Sequence, residues 1–370
     1  MLKKSESTPT ISVLKSISNR YYLLTQDKKI IEWDIYNTER SSPDLLWATY
    51  CSRVLQKVEQ SLAGRGLVFY LSKDELDRLP SYGENVVAIV AGDEWCRIPK
   101  YANQVLAVFK GYGTEPFLGC NLLKEPSYTN FVSLLQFLRI WLAYLPGLIS
   151  YRLQILKNLL TRKLRDPKIY TIPLGYYNQP DTPQKQISER TFDIFFAGSV
   201  SNDSYAPGSF KSFIKNLLKP PKIQSRQKMI SCLRKFQNEF TDFQVELSLT
   251  DGFYSMTEED LKTYSERLMN SKICLIPRGT SYETYRFFEA IRFGCIPITE
   301  ALPSHWFYNE SPAIEIKNWD NLAKTLERIL TNPNLVREKH QQALWWWQNK
   351  CSETAVAQYI ADKLECISSK

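Results

Sequence analysis

Hydrophobic and polar positions along the 370-residue chain alternate in two successive series. In the first, "NRYYLLT", "GLVFYLS", "NVVAIVAGDEW" and "NQVLAVFKGYG" read as short apolar strands closed by turn residues. Between them, "SPDLLWATYCSRVLQKVEQSLAG" repeats its apolar residues at helical spacing up to a glycine. In the second series, "TFDIFFAGSVSND", "FQVELSLT", "KICLIPRG", "GCIPIT" and "SPAIEIK" read as strands, separated by helical patterns such as "KMISCLRKFQNEF" and "EEDLKTYSERLMNS". Helices from Asn318 to Ile367 close the chain. Strands alternating with helices predict parallel sheets covered by helices, so the fold class is α/β. The length exceeds what one core requires and predicts two domains. The Pro, Gly, Asn and Gln content of "KIYTIPLGYYNQPDTPQKQ" places their boundary near residue 180, giving domains at 1–180 and 181–370, with the last helix free to cross back.

Within the first domain, 131–168 departs from this alternation. "FVSLLQFLRIWLAYLPGLIS" is long enough to span a bilayer but contains Gln136, Arg139 and Pro146. The stretch after it sets Arg152, Lys157, Arg162, Lys163 and Arg165 around apolar residues at helical spacing, the composition of a helix lying in a membrane interface. An ordinary amphipathic helix packed on the domain is the alternative. The first residues lack the apolar core of a signal peptide, so the expectation is a cytoplasmic protein, peripheral on the inner membrane face. Eight scattered cysteines without a CxxC pair read as reduced thiols. With two histidines, His305 and His340, and no DxD pair, neither a metal site nor a cofactor is expected. The net charge of +8 is uneven: Lys211, Lys215, Lys219, Lys222, Arg226, Lys228, Arg234 and Lys235 fall in 210–235 without an acid. Such a run reads as solvated surface that invites an anionic partner, but no nucleic-acid motif accompanies it, and nucleic acid is not expected.

The chemistry concentrates in "GTSYETYRFFEAIRFGCIPI", Gly279 to Ile298. The pattern predicts a helix starting at Thr280, which forms a capping box with Glu283, and ending at Gly294. In an open α/β sheet, ligands sit beyond the carboxyl ends of the strands, where helix N-termini offer free N–H groups to a phosphate. Arg286 can add a forked cationic contact to a diphosphate, and Glu289 can accept from two ribose hydroxyls. Gly198 and Ser199, at the end of "FFAGS", allow a close backbone approach. The loop from Pro277 through Arg278, Gly279 and Thr280, with Tyr282 and Glu283 after it, completes the donor side, and Arg226 can approach the phosphates. A plain surface ion pair is the alternative for Arg286 and Glu289. For a general base the first domain offers Asp93 and Glu94 in "AGDEW"; adjacent residues point apart, and Asp93 is preferred for the cleft. Lys110, Tyr112 and Glu115 lie in a second cleft loop. His305 reads as packed, with an approach to the donor as the alternative, and Trp345–Trp347 as a clasp between domains, since three consecutive rings cannot share one helix face.

The stretch "YSERLMNSKICLIPRGTSYETYRFFEAIRFGCIPI" resembles the signature of the exostosin family of glycosyltransferases. The matching positions are Tyr264, Ser271, Lys272, Cys274, Leu275, Pro277, Arg286, Glu289, Ala290, Gly294, Cys295 and Pro297. The resemblance implies a GT-B enzyme, with two Rossmann-like domains facing across a cleft, the donor in the second and the acceptor in the first. It implies metal-independent, inverting transfer from a nucleotide-diphosphate sugar, a UDP-sugar, to a glycan or lipid-linked glycan, with Arg286 on the diphosphate and Glu289 on the ribose. Tyr282 to Tyr285 depart from the small residues of the family at those positions. The α-1,3-fucosyltransferases share a similar layout, so a GDP-sugar enzyme stays open, as does a non-catalytic glycosyltransferase-like subunit.

Overall fold

Strands buried along nearly their whole length, such as Val68–Ser72 and Ser271–Ile276, cover both faces and belong in the middle of parallel sheets. The computed structural model describes residues 18–25, 27, 29–37, 48–160, 168–177, 181, 183–199, 220–250 and 258–368. The basic residues at 162–165 and 211–219, and the start of the first predicted helix, lie outside them.

The first sheet runs β2 (Ile30–Glu32), β1 (Arg20–Leu24), β3 (Val68–Ser72), β4 (Gly83–Val90), β5 (Val105–Lys110), β6 (Ile169–Thr171). Only the β1–β2 pairing is antiparallel. Helix α1 (Thr49–Leu62) buries Tyr50, Cys51, Val54, Leu55, Val58 and Leu62, one face at helical spacing. After β5 comes α2 (Tyr128–Leu160), with Pro146 inside it. The second sheet is parallel throughout, in the order β11 (Ile314–Glu315), β10 (Ile296–Thr299), β9 (Ser271–Ile276), β7 (Phe192–Ser199), β8 (Val245–Thr250). Its helices are α3 (Pro221–Glu239), α4 (Glu258–Met269), α5 (Tyr285–Arg292), α6 (Leu322–Leu330) and α7 (Pro333–Trp346). The α/β class and the division into two such units are thus what the structure has.

The two sheets differ in one respect that positions a site. From β1 through β3 to β6 the first advances in a single direction, whereas the second steps from β7 out to β8 and then resumes on the other side with β9. The loops after β7 and β9 therefore diverge and leave a crevice at their carboxyl ends.

At the C-terminus, α7 passes through a π-helical turn (Trp347–Cys351) into α8 (Glu353–Ser368), which packs along α1. Arg65 pairs with Glu365 at 3.0 Å, and the Tyr50 hydroxyl donates to the Cys351 carbonyl at 2.6 Å. The three tryptophans turn to different sides: Trp345 is exposed, Trp346 packs on Phe287 and Tyr308, and Trp347 meets Tyr50 and Tyr176. The N-terminal part of α2 likewise rests on the second unit. Thr129 donates to Gln224 of α3 at 2.8 Å, and Gln136 donates to the Thr280 carbonyl at 3.1 Å.

Two residues expected at the cleft are instead structural. The Lys110 ammonium lies 2.8 Å from the Asp93 carboxylate, and neither side chain has any exposure. Arg97 closes on the other oxygen of Asp93 at 2.9 Å. Burial alone would raise the Asp93 pKa, but Lys110 and then Arg97 hold it below the usual carboxylate value. Removing one partner strands a buried charge, so Asp93→Ala or Lys110→Met should each cost about 3–5 kcal/mol in urea unfolding. Asp93→Asn combined with Lys110→Met should cost less than the sum. Because the folded-state pKa of Asp93 is depressed, its stabilisation holds above the unfolded carboxylate pKa of roughly 3.9 and fades as pH falls below it; Asp93→Asn should flatten that limb of the stability profile.

Candidate functional site

Strand β7 ends at Gly198 and Ser199, and Gly198 adopts φ +156°, where a Cβ would lie 2.6 Å from Arg286 Nη2. Glycine is required here because an arginine lies directly over the backbone. That arginine comes from the first turn of α5, its guanidinium 5.0 Å from the Phe196 ring. The helix begins at Tyr285 behind an extended Thr284, without the predicted capping box. Thr280 stays in the loop, and the Glu283 carboxylate is engaged elsewhere, accepting from Tyr308 at 3.1 Å and meeting His305 Nε2 at 3.2 Å. The later start moves Arg286 closer to the helix N-terminus than the sequence implied.

Across from it, Arg226 rises from α3, buried, and donates from Nη1 to the Ser199 carbonyl at 2.6 Å. The Nε of Arg226 and the Nε of Arg286 are both buried without a hydrogen-bond partner among the described residues. Lys222 sits one turn before Arg226 on the same helix. Burial first, and then repulsion by Arg226 and Arg286, lowers the Lys222 pKa; burial and Arg286 likewise lower that of Arg226, and Glu94 opposes both shifts. Three cations are thus gathered at the crevice, with Glu94 and Glu289 as the acids that act on them and buried N–H groups left over among the described residues. An anion with several acceptor oxygens fits this arrangement.

One turn along α5, Glu289 is buried rather than on the surface, which removes the surface ion-pair alternative. Its carboxylate accepts from the Tyr264 hydroxyl at 2.8 Å and from the Tyr177 backbone N–H at 3.2 Å. Burial raises its pKa, against the pull of Tyr264 and Arg286. A carboxylate has about four acceptor positions, so two remain for a ligand's hydroxyls.

The rest of the β9–α5 loop faces a second space, a pocket between the units. Glu94, Tyr112 and Glu115 line it from the first unit, Ser133, Gln136 and Phe137 from α2, and Arg278, Thr280, Tyr282, Glu283 and His305 from the second. Arg278 was expected among the donor residues; the structure turns it away from Arg226 and Arg286. Its guanidinium stacks 3.9 Å from the Tyr282 ring and donates to Ser133 at 3.1 Å. Pro277 and Gly279 are buried in the backbone of this turn. Glu94 receives the Tyr112 hydroxyl at 3.4 Å, and burial raises its pKa despite Thr280, Lys222 and Tyr112. The preference for Asp93 over Glu94 therefore reverses, because Asp93 is locked in its ion pair whereas Glu94 borders both the pocket and the cations.

Residues 157–300 match the model of the Exostosin GT47 domain. That stretch of the chain is thus similar to the exostosin GT47 domain. Over 90 residues it is 36% identical to Exostosin-1 of Bos taurus, a stretch that is 24% of this chain and 11% of the bovine protein. It is 29% identical over 212 residues to ribitol-5-phosphate xylosyltransferase 1 of Homo sapiens, covering 50% of this chain and 42% of the human protein. Among solved structures it is similar to the glycotransferase of kitacinnamycin at 8% identity and a TM-score of 0.39, over 94% of this chain and 99% of that one. The crevice residues Gly198, Arg226, Arg286 and Glu289 all fall inside the GT47 match, whereas Glu94 lies outside it.

Two members of the site carry a weaker signal in the sequence. Lys222 was grouped with solvated surface, although its spacing of four from Arg226 puts both on one helix face. His305 is packed on Phe307 and Tyr308 and also lines the pocket against Glu283, a pairing across the turn after β10 that no local pattern carries. Inorganic diphosphate should raise the thermal midpoint of the protein, and Arg286→Ala should abolish that rise. Gly198→Ala, which displaces the Arg286 guanidinium, should weaken diphosphate binding at least about tenfold while circular dichroism stays unchanged.

Proposed function

We propose that this protein is a glycosyltransferase that moves a sugar from a UDP-sugar to a hydroxyl of a glycan, free or lipid-linked, with inversion and without a catalytic metal. The observation that carries the reading is the placement of Glu94 between the pocket and the cation cluster. A carboxylate with a raised pKa, next to a site for a leaving diphosphate, is the pairing that glycosyl transfer requires. The GT47 match and the likeness to a human protein named for xylosyl transfer support the same chemistry.

In this reading the donor diphosphate lies over Gly198 and bonds Arg226 and Arg286, with the dipole of α5 behind it. The ribose hydroxyls donate to Glu289 beside Tyr264. An acceptor hydroxyl held in the pocket attacks the anomeric carbon from the face opposite the diphosphate. The new C–O bond forms as the bond to the β-phosphate oxygen breaks, that oxygen keeps the electron pair, and Glu94 takes the acceptor proton. The arginines offset the charge that gathers on the diphosphate, so their contribution grows toward the transition state.

Two measurements test this. Among UDP, GDP, CMP, ADP and NAD, UDP should give the largest thermal stabilisation, and Arg286→Ala and Glu289→Ala should each remove it; equal effects from all five would contradict a nucleotide clamp. With a turned-over donor in hand, Glu94→Gln should lower kcat by about 100-fold or more with little change in donor KM. A raised pKa must lose its proton before Glu94 can act as base, so the acid limb of kcat/KM should lie above the ordinary glutamate range near 4.3, and Glu94→Gln should erase it. UDP binding without any turnover would instead mark a glycosyltransferase-like binding subunit.

A further inference from the structure

The outer side of α2 has no role in the site just described. Its exposed apolar residues are Tyr128, Phe131, Leu135, Leu138, Leu142, Ile149, Leu153, Leu156 and Leu160, with Trp141 beside them. Their spacing of three and four, carried across 142 to 149 by the partly buried Leu145, keeps them in one stripe along a helix of 33 residues, roughly 50 Å. Arg139 and Lys157 fall along one edge of the stripe and Arg152 along the other, and 128–160 contains no Asp or Glu. The opposite side of the helix is held by the protein: Val132 and Ser133 are buried, Gln136 bonds the Thr280 carbonyl, and Phe137 and Ile140 line the pocket.

We infer that α2 docks the protein on an anionic lipid bilayer, lying in the interface with its apolar stripe among the acyl chains and Arg139, Arg152 and Lys157 at the headgroups. The stripe supplies apolar area, Tyr128 and Trp141 suit the interfacial zone, and the cations flank the stripe where long side chains reach phosphates. Among the described residues α2 is the one helix long and apolar enough to cross a membrane. Crossing would expose Gln136, Ser133 and their bonds to lipid and would detach the helix from the pocket, so it lies on the surface instead. A second copy of the chain fits less well. Spacing of three and four also suits a coiled coil, but flanks that are basic and carry no acid would face each other with like charge. Docked in this way, the pocket sits on the far side of the same helix, within its thickness of the bilayer, which gives the lipid-linked acceptor of the proposed reaction its place. The surface itself stands independently of that reaction.

The test is flotation of the full chain with vesicles of phosphatidylcholine, with and without phosphatidylglycerol. The protein should float with the anionic vesicles, less with phosphatidylcholine alone, and less again as salt rises. Leu142→Glu with Ile149→Glu, both on the exposed stripe, should cut the bound fraction at least tenfold while circular dichroism and UDP stabilisation remain as in the wild type. Arg152→Glu with Lys157→Glu should remove the preference for anionic lipid. Failure to float with either vesicle overturns the inference, as does binding that survives the Leu142→Glu, Ile149→Glu change. A concentration-dependent dimer in sedimentation, broken by the same change and indifferent to vesicles, would assign the stripe to a second copy. Because flotation needs neither donor nor turnover, its failure leaves the glycosyltransferase reading intact.

Discussion

Like charges held close together in a buried place are unfavourable unless something answers them, and the crevice of the second sheet is organised around that constraint. Arg226, Arg286 and Lys222 converge there from two helices, both arginines keep an Nε without a partner among the described residues, and Glu94 and Glu289 are acids that oppose their mutual repulsion. The fold makes the convergence unavoidable. The strand order reverses about β7 and β9, so the helices that follow those strands bring their first turns to one point. Gly198 then leaves room for a guanidinium where any side chain would collide with it. A bound polyanion relieves the repulsion and fills the missing hydrogen bonds together, which is why the site reads as a binding site rather than as a defect of packing.

The two units are joined by contacts of different kinds on either side of this crevice. On one side the C-terminal helix crosses to α1, with Trp347 wedged against Tyr50 and Tyr176. On the other, α2 leaves the first unit to touch α3 and the β9–α5 loop through Thr129, Ser133 and Gln136. Both connections fix the distance between Glu94 and the arginines, and the second runs through the helix inferred to bind lipid. On that inference, attachment to a lipid surface and assembly of the cleft would share one element.

Much of this was legible in the sequence where physics is local. Apolar runs bounded by turn residues gave away the strands, and Arg286, Glu289 and Gly198 drew attention because strand ends and helix starts are where ligands bind. What was hidden was long-range. Nothing near Asp93 in the chain announces that Lys110 will bury itself against it, so a carboxylate at a strand end looked like a base when it is half of an ion pair. The Thr280 to Glu283 spacing fits a capping box, yet Glu283 is drawn off by Tyr308 and His305, more than twenty residues later in the chain, and the helix starts late. Arg278 looked like a donor residue by its neighbours in sequence, but the stacking surface of Tyr282 and the polar side of α2 claim it.

The most direct test of the central claim is a crystal structure of the protein with UDP. The account predicts both phosphates over Gly198, with the Nε atoms of Arg226 and Arg286 within hydrogen-bonding distance of their oxygens and the ribose against Glu289. Well-ordered UDP bound elsewhere, with those two Nε atoms still unpartnered, would contradict it.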